Sequence, residues 1–349
     1  MLAVAITGLL AVSVVQAAGV FQDRQTRPIL LGTSGGNINA FSGLFCSSGT
    51  LGALVQKGGS QYILSNNHVL ARENKAKIGD DITQPGLIDT SPVCQKEPLD
   101  VVADVTAFVT LQFGKRTTAA DAAITLVGSG QVNADGAILA LGADGSPGTV
   151  SNIVSSDTLG CAVQKSGRTT GHTTGSISAV DATVIVKYSG GRATFTNQFF
   201  VTPSSFSAGG DSGSLIVRDG GPNPRPVGLL FAGNGTSTIA NPIQDVLTAL
   251  GVSMVGSDDG NTSGDCPPAS QATQTAVATG RAAKAKHVDA LMNLPEVVGV
   301  AVGADGADGA DGAVEVYLER DNASTRQQVP AALDGVPVRV QVTGAFEAR

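Results

Sequence analysis

The sequence predicts a mainly β protein, and three observations carry that expectation. Gly occurs 45 times in 349 residues, about twice its ordinary usage, so tight turns are frequent. The apolar runs are short and bounded by Gly, Asn, Asp and Ser clusters, the pattern of a barrel or sandwich. Charged residues make up only 15% of the chain and Trp is absent, which argues against a coiled coil or a long solvated helix. At 42% hydrophobic residues the chain is too apolar for disorder. A net charge of −7 lacks the clustered Lys and Arg that phosphate binding needs, so no nucleic-acid partner is expected.

Residues 1–21 contain no charged side chain. They read as the apolar core of a secretory signal, with Val15-Gln16-Ala17 supplying the small residues a signal peptidase accepts. The signal is expected to span residues 1–17, with a secreted or periplasmic product. A membrane would be a partner only if this segment stayed uncleaved as an anchor. Export places Cys46, Cys94, Cys161 and Cys266 in an oxidising compartment, where four cysteines allow three pairings.

Residues 28–255 form the main expected domain. Its strand-like runs include 52–55, 62–64, 102–109, 123–127, 177–180 and 184–186. Residues 243–250 have helical spacing, start near the cap residue Asn241 and stop at Gly251. Residues 256–280 turn polar and read as a linker. Within them Asp259-Gly-Asn261-Thr-Ser263-Gly264 imitates a calcium loop, but the twelfth position is Ser270, not Glu, so a plain linker is expected. Residues 281–349 read as a small α+β module, with a helix over 281–293 and strands at 297–302, 314–318 and 338–342. The Gly-Ala-Asp repeat over 303–312 reads as an expanded hairpin loop, and no metal or cofactor is expected anywhere in the chain.

One segment carries chemistry: Ser207-Ala208-Gly209-Gly210-Asp211-Ser212-Gly213-Ser214. A serine hydroxyl attacks a carbonyl only when a base takes its proton. The oxyanion that forms needs main-chain N–H donors, to which Gly gives close access. The chain holds three histidines. His68 follows a strand-like run, His172 sits in a Gly-bounded loop expected to line the cleft, and His287 lies in the module's helix. Asp121, embedded in small and apolar residues, is suited to burial beside an imidazole. Asp100, Asp104 and Asp181 are the rival acids. An α/β-hydrolase reading fails, because Ser214 stands where Gly-x-Ser-x-Gly needs its last Gly and the chain order differs.

At these residues the chain resembles the chymotrypsin-like serine peptidases. The order His68, Asp121, Ser212 has gaps of 53 (121 − 68) and 91 (212 − 121), against about 45 and about 93 in the chymotrypsin order. Asn67-His68-Val69-Leu70 is similar to the family's base segment, Asp121-Ala-Ala-Ile124 to its acid segment and Gly210-Asp211-Ser212-Gly213 to its nucleophile loop. Val227 to Gly233 is similar to the substrate-lining strand. Lys165-Ser166-Gly167-Arg168-Thr169-Thr170-Gly171 resembles a segment of the secreted bacterial branch, the α-lytic protease and streptogrisin type.

The resemblance implies two antiparallel six-stranded β-barrels with the site between them. It implies Ser212 as nucleophile, His68 as base, Asp121 as its orienting acid, and the N–H groups of Gly210 and Ser212 as the oxyanion hole. Val69 stands where the family usually has a Cys, and Gln164 where the bacterial branch has another, so the family's disulfides do not transfer. Lys165 matches the internal basic residue expected to pair with Asp211. Phe206 falls near the base of the primary pocket, with Phe231, Ala232 and Gly233 along its wall. Such a pocket should favour apolar or small side chains and reject basic ones.

The expected function is an exported serine endopeptidase acting on a protein or peptide substrate. The alternative is a catalytically silent, peptidase-like binding module. The C-terminal module is expected to be accessory or regulatory: a substrate recruiter, a folding aid or an inhibitor over the cleft.

Overall fold

The computed structural model describes residues 18–114, 116–142, 144–257, 266, 270–303 and 312–349. The expected signal, the calcium-like stretch 259–264 and most of the Gly-Ala-Asp repeat lie outside the described residues. The chain is mainly β.

The first barrel contains β1 (Thr33–Asn37), β2 (Gly49–Leu51), β3 (Ala53–Lys57), β4 (Ser60–Ser65), β5 (Asp81–Thr83), β6 (Val101–Phe108) and β7 (Ala123–Val127). The strands pair in the order β3-β4-β7-β6-β5-β1-β2. The sheet curls closed because β2 and β3 are successive halves of one strand, interrupted only at Gly52. A side chain at Gly52 would stand 1.9 Å from the carbonyl oxygen of Gly213, so the chain must lack a Cβ there for the two barrels to touch. Leu51, Leu54, Ile63, Leu64, Ile82 and Ile124 fill the interior.

The second barrel contains β8 (Ala162–Gly167), β9 (Gly171–Tyr188), β10 (Gly191–Thr202), β11 (Leu215–Arg218), β12 (Pro226–Gly233) and β13 (Thr238–Pro242). These six strands run β9-β8-β11-β12-β13-β10, and β10 pairs with β9 to close the ring. The runs 177–180 and 184–186, separate in the sequence reading, belong to one strand. Asp181 between them adopts φ 50° where the register shifts, so the polar interruption is a bulge rather than a turn. Strand β12 is buried along its whole length and accordingly reads as a continuous apolar run.

Helix α1 (Ile243–Leu250) ends as expected at Gly251, whose φ of 65° supplies the left-handed cap. Strand β14 (Ser253–Met254) then returns to pair with β3. The C-terminal module comprises α2 (Gln271–Met292), β15 (Val297–Gly303), β16 (Ala313–Leu318), α3 (Ala323–Gln328), β17 (Ala332–Leu333), β18 (Val336–Val342) and β19 (Phe346–Ala348). Helix α2 begins at Gln271, not at residue 281, so residues 271–280 are helical rather than linker. Ser270 caps it, its Oγ accepting from Thr273 N at 3.1 Å. Ala283 and Leu291 of α2 pack on Val300, Val314 and Val316.

The module is not a separate sheet. Strand β15 pairs antiparallel with β9, Ala179 opposite Gly303 and Val184 opposite Gly299. The second barrel and the module therefore share one twelve-stranded sheet. Disulfides join Cys46 to Cys94 and Cys161 to Cys266, with Cα separations of 5.7 and 5.5 Å. The second ties the stretch before α2 to the start of β8. Among the described residues no helix is long and apolar enough to cross a membrane.

Candidate active site

His68 sits on a short helical turn, Asn67–Ala71, directly after β4. Asp121 precedes β7, the neighbour of β4 in the sheet, so strand pairing brings the two together. His68 Nδ1 lies 2.6 Å from Asp121 Oδ2, and the His68 main-chain N–H donates to Asp121 Oδ1 at 3.1 Å. Asp121 is fully buried, and a buried carboxylate must have its lone pairs filled. Tyr188, at the end of β9, donates its hydroxyl to Asp121 Oδ2 at 2.8 Å. Burial and the neighbouring carboxylate push the Tyr188 pKa well above its ordinary range, so it stays a donor. The Asp121 main chain is fixed at both ends. Asn66 Nδ2 donates to its carbonyl at 2.7 Å, and its N–H donates to Asn241 Oδ1 of β13 at 2.9 Å.

Burial of the His68 ring favours its neutral form. The opposing charge and hydrogen bond of Asp121, joined by the main-chain oxygen of Arg349 and by Glu73, outweigh it and hold the pKa above 6.5. Arg349 is a surprise in this position. Its main-chain oxygen stands 3.3 Å from His68 Nε2.

Ser212 lies in the loop before β11, and the glycines around it are structurally required. Gly210 and Gly213 adopt φ 98° and 94°, the left-handed region that disfavours side chains. A Cβ on Gly213 would meet Ser65 Oγ at 2.0 Å and the Thr50 carbonyl at 2.3 Å. Thr50 of β2 grips the loop, its N–H donating to the Ser212 carbonyl at 2.8 Å and its Oγ1 to the Gly210 carbonyl at 3.0 Å. The N–H groups of Gly210 and Ser212 have no partner among the described residues, as an oxyanion site requires.

Asp211, next to the serine, is fully buried with Lys165, whose Nζ stands 3.5 Å from Oδ2. The N–H groups of Thr169 and Ala208 donate to its two oxygens at 2.8 and 2.9 Å, and Thr170 Oγ1 donates at 2.7 Å. Burial lowers the Lys165 pKa to about 8 against the pull of Asp211.

Ser212 Oγ donates to the Phe231 carbonyl at 3.3 Å rather than to His68. The same carbonyl accepts the Arg349 N–H at 3.2 Å. Ser212 and His68 thus flank the main chain of a single residue, the serine on its N–H side and the imidazole at its oxygen.

The remaining expected positions divide by which atoms face the cleft. Phe231 is buried against Phe195, with ring centres 4.8 Å apart, and only its main chain faces the site. Ala232 and Gly233 pair with Ala348 and Glu347 of β19. Phe206 is fully buried in the second barrel's core with Val163, Ile177 and Val201. Ser207 beside it is the residue that Arg349 reaches. Arg349 Nη1 donates to the Ser207 carbonyl and, at 2.8 Å, to Ser207 Oγ. The Arg349 guanidinium thus meets a carbonyl and a hydroxyl of Ser207.

The other candidates lie elsewhere. Asp100 pairs with Arg24 at 2.6 Å and Asp181 with Lys284 at 3.2 Å, while Asp104 is exposed near Asp81. His172 stands on β9 rather than in a cleft loop, its Nε2 2.7 Å from Gln164 Oε1. His287 is 3.6 Å from Asp334 Oδ1 on α2. Sequence reasoning missed Ser207, Tyr188, Asn241 and the tail. Tyr188 left one usable trace: it is one of only three tyrosines.

Two antiparallel barrels with these loops at their junction invite comparison with known proteins. The chain is similar to a glutamic-acid-specific serine protease (24% identity over 65% of this chain and 100% of that one, TM-score 0.45). It is also similar to Thermobifida fusca protease A (20%, 65% and 98%, TM-score 0.44) and Nocardiopsis protease (17%, 65% and 98%, TM-score 0.44). All are chymotrypsin-like serine proteases of the secreted bacterial branch. A family model described as the Nal1 C-terminal domain matches residues 129–241. Comparison with curated protein sequences gives no match.

Proposed function

We propose that this protein is an exported serine endopeptidase in which Ser212 attacks the peptide carbonyl, His68 is the base and Asp121 orients it. The observation that carries the reading is the arrangement around Arg349. A 2.6 Å His68–Asp121 contact brings the imidazole to the Arg349 oxygen, and the buried serine shares the Phe231 carbonyl with the Arg349 N–H, with the Gly210 and Ser212 N–H groups beside them.

The chemistry follows from that placement. Ser212 Oγ must first rotate away from the Phe231 carbonyl, and a substrate carbonyl must take the place now held by the Arg349 main chain. Neutral His68 then accepts the hydroxyl proton at Nε2 while Oγ bonds to the carbonyl carbon. The oxygen, now anionic, is held by the Gly210 and Ser212 N–H groups. Asp121 and Tyr188 keep the Nδ1 proton in place and stabilise the imidazolium. His68 returns the proton to the departing amine, leaving an acyl-serine that water releases by the same steps in reverse.

A second reading, a peptidase-like binding module without catalysis, is favoured by one observation: Ser212 Oγ bonds to Phe231, not to His68. Fluorophosphonate labelling at about pH 8 separates the two. Because Ser212 is fully buried, the reagent is applied to both the chain and its Arg349→Ala variant. Modification of Ser212 supports the peptidase, with Ser212→Ala lowering kcat by about 10⁶. Absence of modification in both proteins supports the binding module.

A further inference from the structure

The cleft is occupied by the protein's own residues 346–349. Strand β19 enters between β12 and β9, antiparallel to the first (Ala232 opposite Ala348) and parallel to the second (Val186 opposite Phe346). Phe346 anchors it, fully buried between Phe200 and Tyr317, with ring centres 5.5 and 5.9 Å away. Glu347 lies 3.3 Å from Lys187. Arg349 then turns its main chain between Ser212 and His68 and its side chain into the pocket over Gly233. That glycine makes the space: a Cβ there would stand 2.6 Å from Arg349 Nε. The guanidinium has a built set of acceptors, the Ser207 carbonyl and hydroxyl, and that hydroxyl is itself 2.6 Å from Thr238 Oγ1. Past the Arg349 main chain, a cavity of about 610 Å³ lined by Phe41, Phe45, Cys46 and Val69 adjoins His68.

We infer that the cleft selects extended peptides carrying arginine beside the reacting carbonyl, and that residues 346–349 are its built-in competitor for such peptides. The inference rests on the peptidase reading for the word "reacting" but not for binding. Strand addition supplies the register, as main-chain pairing along β12 sets every second side chain toward the protein. Ser207 and Gly233 supply the selectivity: a shorter side chain leaves the Ser207 carbonyl unsatisfied, and a carboxylate would be repelled by that carbonyl oxygen. Competition follows from occupancy, since the Arg349 main chain fills the space a substrate needs. The Arg349 oxygen also faces His68 Nε2, the atom that has to take the serine's proton.

The test uses the full chain, with Ser212→Ala to remove hydrolysis, alone and combined with Arg349→Ala. The probe is a fluorescein-labelled peptide, Gly-Ala-Phe-Glu-Ala-Arg, with a second peptide ending in Ala as control, followed by anisotropy. The double variant is expected to bind the Arg peptide about 10-fold or more tightly than the Ala peptide, and about 10-fold or more tightly than the single variant does. Equal binding of the two peptides, or equal binding by the two proteins, overturns the inference. In the serine-containing protein, Arg349→Ala is expected to raise the fluorophosphonate labelling rate at Ser212 about 10-fold. Unlabelled Ser212 with arginine-selective binding sinks the peptidase and leaves this inference standing. Labelling at one rate in both proteins, with no peptide preference, does the reverse.

Discussion

Each barrel buries a carboxylate beside the cleft, and the two are satisfied in different ways. Asp121, from the first barrel, is matched to an imidazole, a tyrosine hydroxyl and one N–H, and none of these carries a permanent charge. Asp211, from the second, is matched to Lys165, a threonine hydroxyl and several N–H groups, all buried or nearly so. The first arrangement lets a proton reside on the ring or leave it. The second fixes the backbone of the loop that bears Ser212. One acid tunes a neighbour and the other anchors a turn, so removing them should damage different properties.

The sharpest way to break that comparison is Asp121→Asn. Its amide offers His68 Nδ1 the wrong partner, and kcat is expected to fall about 10⁴-fold with a largely unchanged urea midpoint. A large shift in midpoint with modest loss of kcat would make Asp121 an anchor too. Lys165→Met should act the other way round. It strands the buried Asp211 charge and is expected to destabilise the fold by about 3–5 kcal/mol, read by urea denaturation. A variant as stable as the parent would mean that the hydroxyl and N–H donors alone suffice.

Tyr188→Phe removes one hydrogen bond to an ionised group, and kcat is expected to drop about 10-fold with KM nearly constant. The diagnostic is the split between kcat and KM, because a general loosening would move both.

The smallest effect concerns pH. Since the His68 pKa is raised above 6.5, the ring is protonated below that higher value and cannot serve as base. The acid limb of kcat/KM should therefore have its midpoint above 6.5, and a midpoint at or below 6.5 would contradict the Asp121 interaction. The sign for stability is opposite. This group's contribution is fully present below 6.5 and is lost as pH rises through the folded-state pKa.

The parts of this architecture that the sequence made legible are those decided locally. Residues 243–250 combine one apolar face with a glycine stop, and α1 occupies those residues. The runs at 297–302 and 314–318 fall within β15 and β16. His68, Asp121 and Ser212 stood out because small neighbours and chain order mark them. The start of α2 was hidden because Gln, Thr and Ala suit a linker as well as a helix once Ser270 caps them. The cysteine pairing, the contact from Tyr188 to Asp121 and the path of residues 346–349 depend on segments far apart in the chain, joined only by strand pairing. Nothing local in Phe346-Glu-Ala-Arg349 announces that it lies beside β12. The burial of the Phe206 ring was hidden for a related reason: position in a loop does not fix which way a ring turns.

The seam between β9 and β15 bears on any attempt to work with a shortened chain. Cutting after residue 257 would leave Ala179 to Val184 with a bare row of amide and carbonyl groups facing water. Such a fragment is primed for edge-to-edge association with its own copies, so clumping after truncation would report a missing neighbour strand rather than a failure of the barrels to fold.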